Sequence, residues 1–169
     1  MKIHKNFAIL LLLLFNMYFC LNNSITLRHL MKSCEKPCVV DAELNLSRLG
    51  LTSIEGIELY PGIHNVKKLN LSHNNLTCLK PLVCCLFKDV ANCEFNKLLS
   101  PRRRKSLMIA EPALKILDLA NNNLIDISPL RELVMLEELY LENNQIDLVS
   151  LNLVCGALEN LNTVVTDIN

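Results

Sequence analysis

The chain has 169 residues, with 17 Lys and Arg set against 17 Asp and Glu. That length suits one domain, and the balanced charge removes any electrostatic pull toward nucleic acid or other polyanions. Leucine fills 36 positions and asparagine 20, while there are 4 glycines and no tryptophan. So much leucine excludes a disordered chain, and so little glycine argues against a glycine-rich nucleotide-binding fold.

The first 21 residues read MKIHKNFAILLLLLFNMYFCL. Lys2 and Lys5 precede an apolar run from Phe7 to Phe15, the layout of a secretory signal and short for a membrane span. Residues 1–24 are expected to be a signal peptide or, if uncleaved, a signal anchor. Through that segment alone would the chain meet a membrane. Residues 25–40 are expected to form an N-terminal cap over residues 41–169: Ile25, Leu27, Leu30 and Met31 are spaced for one side of a short helix that Pro37 would end. In an oxidising compartment Cys34 and Cys38 are expected to form a disulfide.

From residue 41 onward the sequence repeats itself. Val66, Leu69, Leu71, Asn74 and Leu76 stand at steps 1, 4, 6, 9 and 11 of a frame. Leu114, Leu117, Leu119, Asn122 and Leu124 take the same steps, as do Leu136, Leu139, Leu141, Asn144 and Ile146. Weaker copies start at 41 (Leu44, Leu46, Leu51), at 90 (Val90, Cys93, Phe95) and at 158 (Leu158, Leu161, Ile168). Six stacked units over residues 41–169 are therefore expected, the last cut short. Alternating leucines in L-x-L face one side of a short strand and the residue between them faces the other. One unit cannot bury its own leucines, so neighbours must stack around a shared core. Asn74, Asn122 and Asn144 are expected to turn inward and bond backbone groups of adjoining units.

This pattern, L-x-x-L-x-L-x-x-N-x-L, resembles the leucine-rich repeat superfamily, and the resemblance covers residues 41 to 169. The copies 22 residues apart look like the short class found in the regulatory subunit of protein phosphatase 1 and in an axonemal dynein light chain. The resemblance implies an α/β leucine-rich repeat solenoid, curved, with a parallel sheet on the concave face and irregular or short helical return segments. Relatives of the short class are mostly intracellular, whereas the leader here points to the secretory pathway. Both locations, secreted or membrane-anchored and cytoplasmic, stay open at this point.

Residues between the leucines would lie on the open face of the strands. Lys67, Lys68, Asn70 and His73 are the candidates in the second unit. Lys115, Asp118 and Asn121 follow in the fourth, and Glu137, Glu138, Tyr140, Glu142 and Asn143 in the fifth. The face runs from basic to acidic. Binding is expected at Lys115, Asp118, Glu137, Glu138, Tyr140, Glu142 and Asn143, with Tyr140 as an aromatic anchor and the carboxylates selecting a basic partner protein. Asn45, Asn70 and Asn75 each begin an N-x-S/T sequon. Glycans on Asn45 and Asn70 would cover the early units. The run Pro101-Arg102-Arg103-Arg104-Lys105-Ser106 is expected to be a solvated loop, and without an aromatic platform it does not point to nucleic acid.

No catalytic constellation emerges. The histidines are scattered, and Cys34 and Cys38 with His64 or His73 lack the second spaced pair that a zinc site needs. The sequence holds no phosphate loop and no Gly-x-Ser-x-Gly. The expectation is a non-enzymatic protein-binding module without cofactor or metal. An intracellular adaptor or phosphatase-type regulatory subunit, and a structural protein that self-associates through its last repeat, are the alternatives.

Overall fold

The computed structural model describes residues 42–57, 63–82 and 113–167. The leader, the segment 25–40 and the residues around Arg102 to Ser106 lie outside these ranges, and Cys34 and Cys38 with them.

Five three-residue strands form one sheet. They are β1 (Glu43–Asn45), β2 (Lys68–Asn70), β3 (Ile116–Asp118), β4 (Glu138–Tyr140) and β5 (Thr163–Val165). Every neighbouring pair is parallel, in the order β1-β2-β3-β4-β5. Leu44, Leu69, Leu117, Leu139 and Val164 are register partners along the row. The four leucines are at most 1% exposed, whereas Val164 is half-buried. A strand of three residues buries only its middle side chain, because successive side chains alternate between faces. Its stability therefore comes from stacking on its neighbours, which extend one leucine-lined core from Leu44 to Leu158.

The sheet passes directly from β2 to β3, with Leu69 opposite Leu117. The copy that starts at Val90 lies outside the described residues. The first unit has a leucine, Leu49, at step 9, and it is joined to the second by the Oδ1 of Asn74, which accepts from the Leu49 and Leu51 N–H groups at 3.1 and 3.0 Å.

After each strand the chain turns sharply. Arg48, His73, Asn121 and Asn143, all at step 8, have φ of 59, 56, 57 and 53°. Asparagine tolerates this left-handed conformation; Arg48 and His73 adopt it at a cost that the surrounding structure offsets. The next residue carries the ladder. Asn74 Nδ2 donates to the carbonyls of Leu46 and Leu71 at 2.9 and 2.8 Å. Asn122 Nδ2 donates to Leu71 and Leu119, both at 3.0 Å, while its Oδ1 accepts the Leu76 N–H at 3.0 Å. Asn144 Nδ2 donates to Leu119 and Leu141 at 2.9 Å, and its Oδ1 accepts from Leu124 N–H. The carbonyls of Leu71 and Leu119 are thus each shared by two consecutive asparagines.

The return segments differ from unit to unit. Two are 3₁₀ turns, Ile63–Asn65 and Ser128–Glu132, the second with Pro129 in its first positions, where a missing N–H removes no helical bond. The fourth strand is followed by an α-helix, α1 (Leu148–Ala157). The Asp147 carboxylate caps α1 by accepting the Ser150 N–H at 2.8 Å, and that bond holds its carboxyl below the ordinary range. Among the described residues no helix is long and apolar enough to cross a membrane.

Candidate docking face

The side chains at steps 3 and 5 point away from the leucines. They form two rows across the outer face of the sheet, one of Glu43, Lys68, Ile116, Glu138 and Thr163, the other of Asn45, Asn70, Asp118, Tyr140 and Val165. Neighbours within a row are separated by the strand spacing of about 4.8 Å. Lys115 and Glu137 stand just before these rows, and Glu142 and Asn143 just after. All seven residues expected to bind a partner are therefore on this side of units four and five. Ile116, Thr163, Val165 and Asp167 are on or beside the same face and were not singled out from the sequence. Counting steps 3 and 5 would have found Ile116, but the last copy is displaced from its expected frame. Val164, not Leu161, is the register partner of Leu139, so the count from Leu158 gives Asn160 and Asn162 in place of Thr163 and Val165.

The second row has a structural duty that the sequence does not advertise. Asn45 Oδ1 accepts both the N–H and the hydroxyl of Ser47, at 3.0 and 2.8 Å. Asn70 does the same with Ser72, at 2.9 and 2.7 Å. Asp118 accepts the Ala120 N–H at 3.1 Å. Each clamps the turn that follows its strand. Asn75 is exposed, and its backbone N–H bonds the Leu51 carbonyl at 2.7 Å.

Charge is divided along the sheet. Lys68 pairs with Glu43 at 3.5 Å at one end. Further along, Lys115 Nζ lies 2.5 Å from Glu137 Oε1. Both pairs are substantially exposed and add little stability. Beyond Lys115 the face is acidic: Asp118, Glu138, Glu142 and Asp167 have no cationic partner among the described residues. The Asp167 carboxylate accepts the Asn143 N–H. Glu142 Oε2 is shut off from solvent and has no hydrogen-bond partner among the described residues.

The Tyr140 hydroxyl donates to Glu138 Oε2 at 2.8 Å. Ionisation would lose that bond and set a phenolate beside Glu138, Asp118 and Glu142, so its pKa stands above the ordinary 10.0. The neutral phenol is the form that the fold favours. Its contribution is complete below the unfolded pKa and is lost as pH rises through the raised folded value. A phenolate absorbance titration, with Tyr140→Phe subtracted to isolate this ring, is expected to show Tyr140 ionising above 10.0 and Glu138→Ala returning it toward that value. Ionisation of Tyr140 at 10.0 in the unaltered chain would refute the contact.

Cys78 and Cys155 are exposed free thiols. Among the described residues no group of three His, Cys, Asp or Glu side chains is placed to hold a metal ion.

No family model matches the sequence, and no curated protein matches it. Among solved structures, internalin C2 of Listeria monocytogenes strain 4b F2365 is similar over 73% of this chain, at 25% identity and a TM-score of 0.48. A second internalin of that strain (inlF) is similar over 69% of the chain, at 25% identity and a TM-score of 0.40. The matched regions are 40% and 32% of those two proteins. In this chain β1 to β4 each fall on one repeat, in register, and the turns after β2, β3 and β4 carry an amide ladder. The fold is a leucine-rich repeat solenoid. On the outer face of its sheet, side chains of adjacent strands lie side by side.

Proposed function

We propose that this solenoid is a non-enzymatic protein-binding module whose docking face is the outer side of β3, β4 and β5. Lys115, Asp118, Glu137, Glu138, Tyr140, Glu142 and Asn143 are its contact residues. One observation carries the proposal. β4 places Tyr140 on the outer face where β1, β2 and β3 place a turn clamp, so the repeat gives up a structural contact to present an aromatic ring. Tyrosine supplies a large contact area with few rotamers to immobilise, which is why it recurs at the centre of interfaces.

The secretory pathway is the proposed location, supported by the basic and then apolar leader of residues 1–21. Glycans on Asn45 and Asn70 would cover β1 and β2 and leave β3 to β5 open. The clamps use Oδ1 of these asparagines, whereas a glycan is attached through Nδ2, so the two roles are compatible. The class with 22-residue repeats is proposed from the spacing of Leu114 and Leu136 alone, since the register partners Leu139 and Val164 stand 25 residues apart.

Photo-crosslinking tests the docking face. A benzophenone amino acid is placed at Ile116, Tyr140 or Val165, and in parallel at Asp126 or Asn152 on the return side, in cells making the chain. Protein adducts from the outer-face positions and not from the return side are expected. Adducts from the return side alone would overturn the proposal.

A further inference from the structure

Helix α1 contains no charged residue, and its outer side is uncovered among the described residues. Ser150, Leu151 and Val154 are its buried side chains. On the helical period the opposite side is a ridge of Leu148, Asn152 and Gly156, flanked by Val149 and Leu153. Leu148, Val149 and Leu153 are all about half exposed or more. So is Ile125, whose carbonyl accepts the Ser150 hydroxyl at the first turn of α1.

Gly156 is the unexpected residue on this ridge. Inside a helix, glycine is about 1 kcal/mol less favourable than alanine. Nothing in the chain requires it. Its backbone is helical and not left-handed, and a Cβ there would meet no atom within 4 Å among the described residues. A glycine demanded by neither its backbone nor its neighbours leaves room for an outside group to approach the helix closely.

We propose that α1 packs against α1 of a second copy of this chain, antiparallel, about a two-fold axis at Asn152. The order of the ridge selects this occupant. Turned end for end about Asn152, Leu148 of one copy comes over Gly156 of the other, and the reverse contact follows by symmetry. Large meets small at both ends, which lets two ridges of four-residue spacing interdigitate. The two Asn152 amides face each other, where each donates to the other's oxygen and fixes the register. A stripe without charge does not repel its own copy. A lipid surface would call for basic residues that α1 lacks. Each of the four apolar side chains leaves roughly 100 Å² uncovered. With Asn152 and Gly156 included, the two copies bury about 1,000 Å², the lower end for a specific interface. The dimer is therefore weak. It uses the return side, leaves the outer face of the sheet free on both copies, and does not depend on the docking face proposed above.

Sedimentation equilibrium of the full chain tests the contact. A reversible dimer with Kd on the order of 10 μM is expected for an interface this small. Gly156→Leu fills the space without a clash inside its own chain, so urea unfolding is expected to show a fold no less stable. Dimerisation is expected to weaken at least about tenfold in the same variant. Leu148→Ala removes the group that enters the space and is also expected to weaken the dimer about tenfold. The double variant Leu148→Ala, Gly156→Leu reverses the ridge and again sets large over small. It is expected to return to within about threefold of the unaltered affinity, because the two positions are coupled across the axis. A monomer at every concentration, as when another protein or another segment of this chain covers α1, would overturn the proposal. So would a dimer that Gly156→Leu leaves unchanged, or a double variant weaker than both single ones. An adduct of twice the chain mass from benzophenone at Asn152 belongs to this contact and does not bear on the docking face.

Discussion

Replacement of Asn122 by alanine is expected to destabilise the solenoid by about 3 kcal/mol, the scale of orphaning a buried donor and losing further bonds to its neighbours. Asn122 is 5% exposed and joins the units on both sides of the β2–β3 junction. Without it the Leu76 N–H has no acceptor in a turn that water does not reach. The carbonyls of Leu71 and Leu119 each keep one amide, from Asn74 and Asn144, so the N–H carries most of the effect. Asn122→Asp keeps an oxygen for Leu76 but turns a second oxygen toward those carbonyls, and is expected to be at least as damaging. Urea unfolding followed by circular dichroism would measure both. A midpoint change equivalent to less than about 1 kcal/mol for Asn122→Ala, the worth of an ordinary hydrogen bond, would mean that the ladder is not what joins these units.

The inward half of the fold is legible because each buried position is demanded by geometry. Leu69, Leu71, Asn74 and Leu76 are all buried, and so are Leu117, Leu119, Asn122 and Leu124. The last copy shows how the same logic misleads. In a leucine-rich sequence apolar residues fall into a frame easily: counting from Leu158 puts Leu161 opposite Leu139, whereas the sheet pairs Leu139 with Val164. Helix α1 was hidden for another reason. Its sequence, LVSLNLVCGA, is apolar on most sides, with Leu148 57% and Val149 70% exposed, so it has no one-sided pattern to read. Asp147 three residues before Ser150 was the better signal.

The outer face is legible by elimination, since whatever lies between inward leucines must point outward. What elimination does not supply is the partner of each polar atom. Asn45-Leu46-Ser47 and Asn70-Leu71-Ser72 read as sequons, yet the same Asn and Ser also make the turn clamp. Only with Asp118 in the corresponding place does that duty separate from glycan chemistry, because an aspartate can clamp and cannot be glycosylated. The significance of Tyr140 and Glu142 emerges from that comparison. They differ from the units of β1, β2 and β3, and a motif search, which looks for what a repeat has, passes over what a unit lacks.

Leu139→Ala is the second large effect, with an expected loss of about 3–4 kcal/mol. Leu139 is fully buried and stands between Leu117 and Val164 in the sheet, so the space it leaves opens onto two neighbouring units. Leu161 belongs to the next unit and is only partly buried against the core, so Leu161→Ala forfeits less area from water and is expected to cost about 1–2 kcal/mol. Equal losses at the two positions would contradict a core whose packing is set by immediate neighbours. Glu138→Gln, one residue away on the outer face, is expected to change stability by no more than about 0.5 kcal/mol. That contrast bears on function, because Leu139 and Tyr140 occupy opposite faces of one strand. Well below its unfolding midpoint, Leu139→Ala is expected to retain the raised ionisation of Tyr140, since the phenol's partners Glu138, Asp118 and Glu142 are untouched. If that ionisation returned to its ordinary value while the chain remained folded, the outer face would depend on the core packing beneath it. The docking surface would then have to be understood as a property of the stack rather than of its exposed side chains.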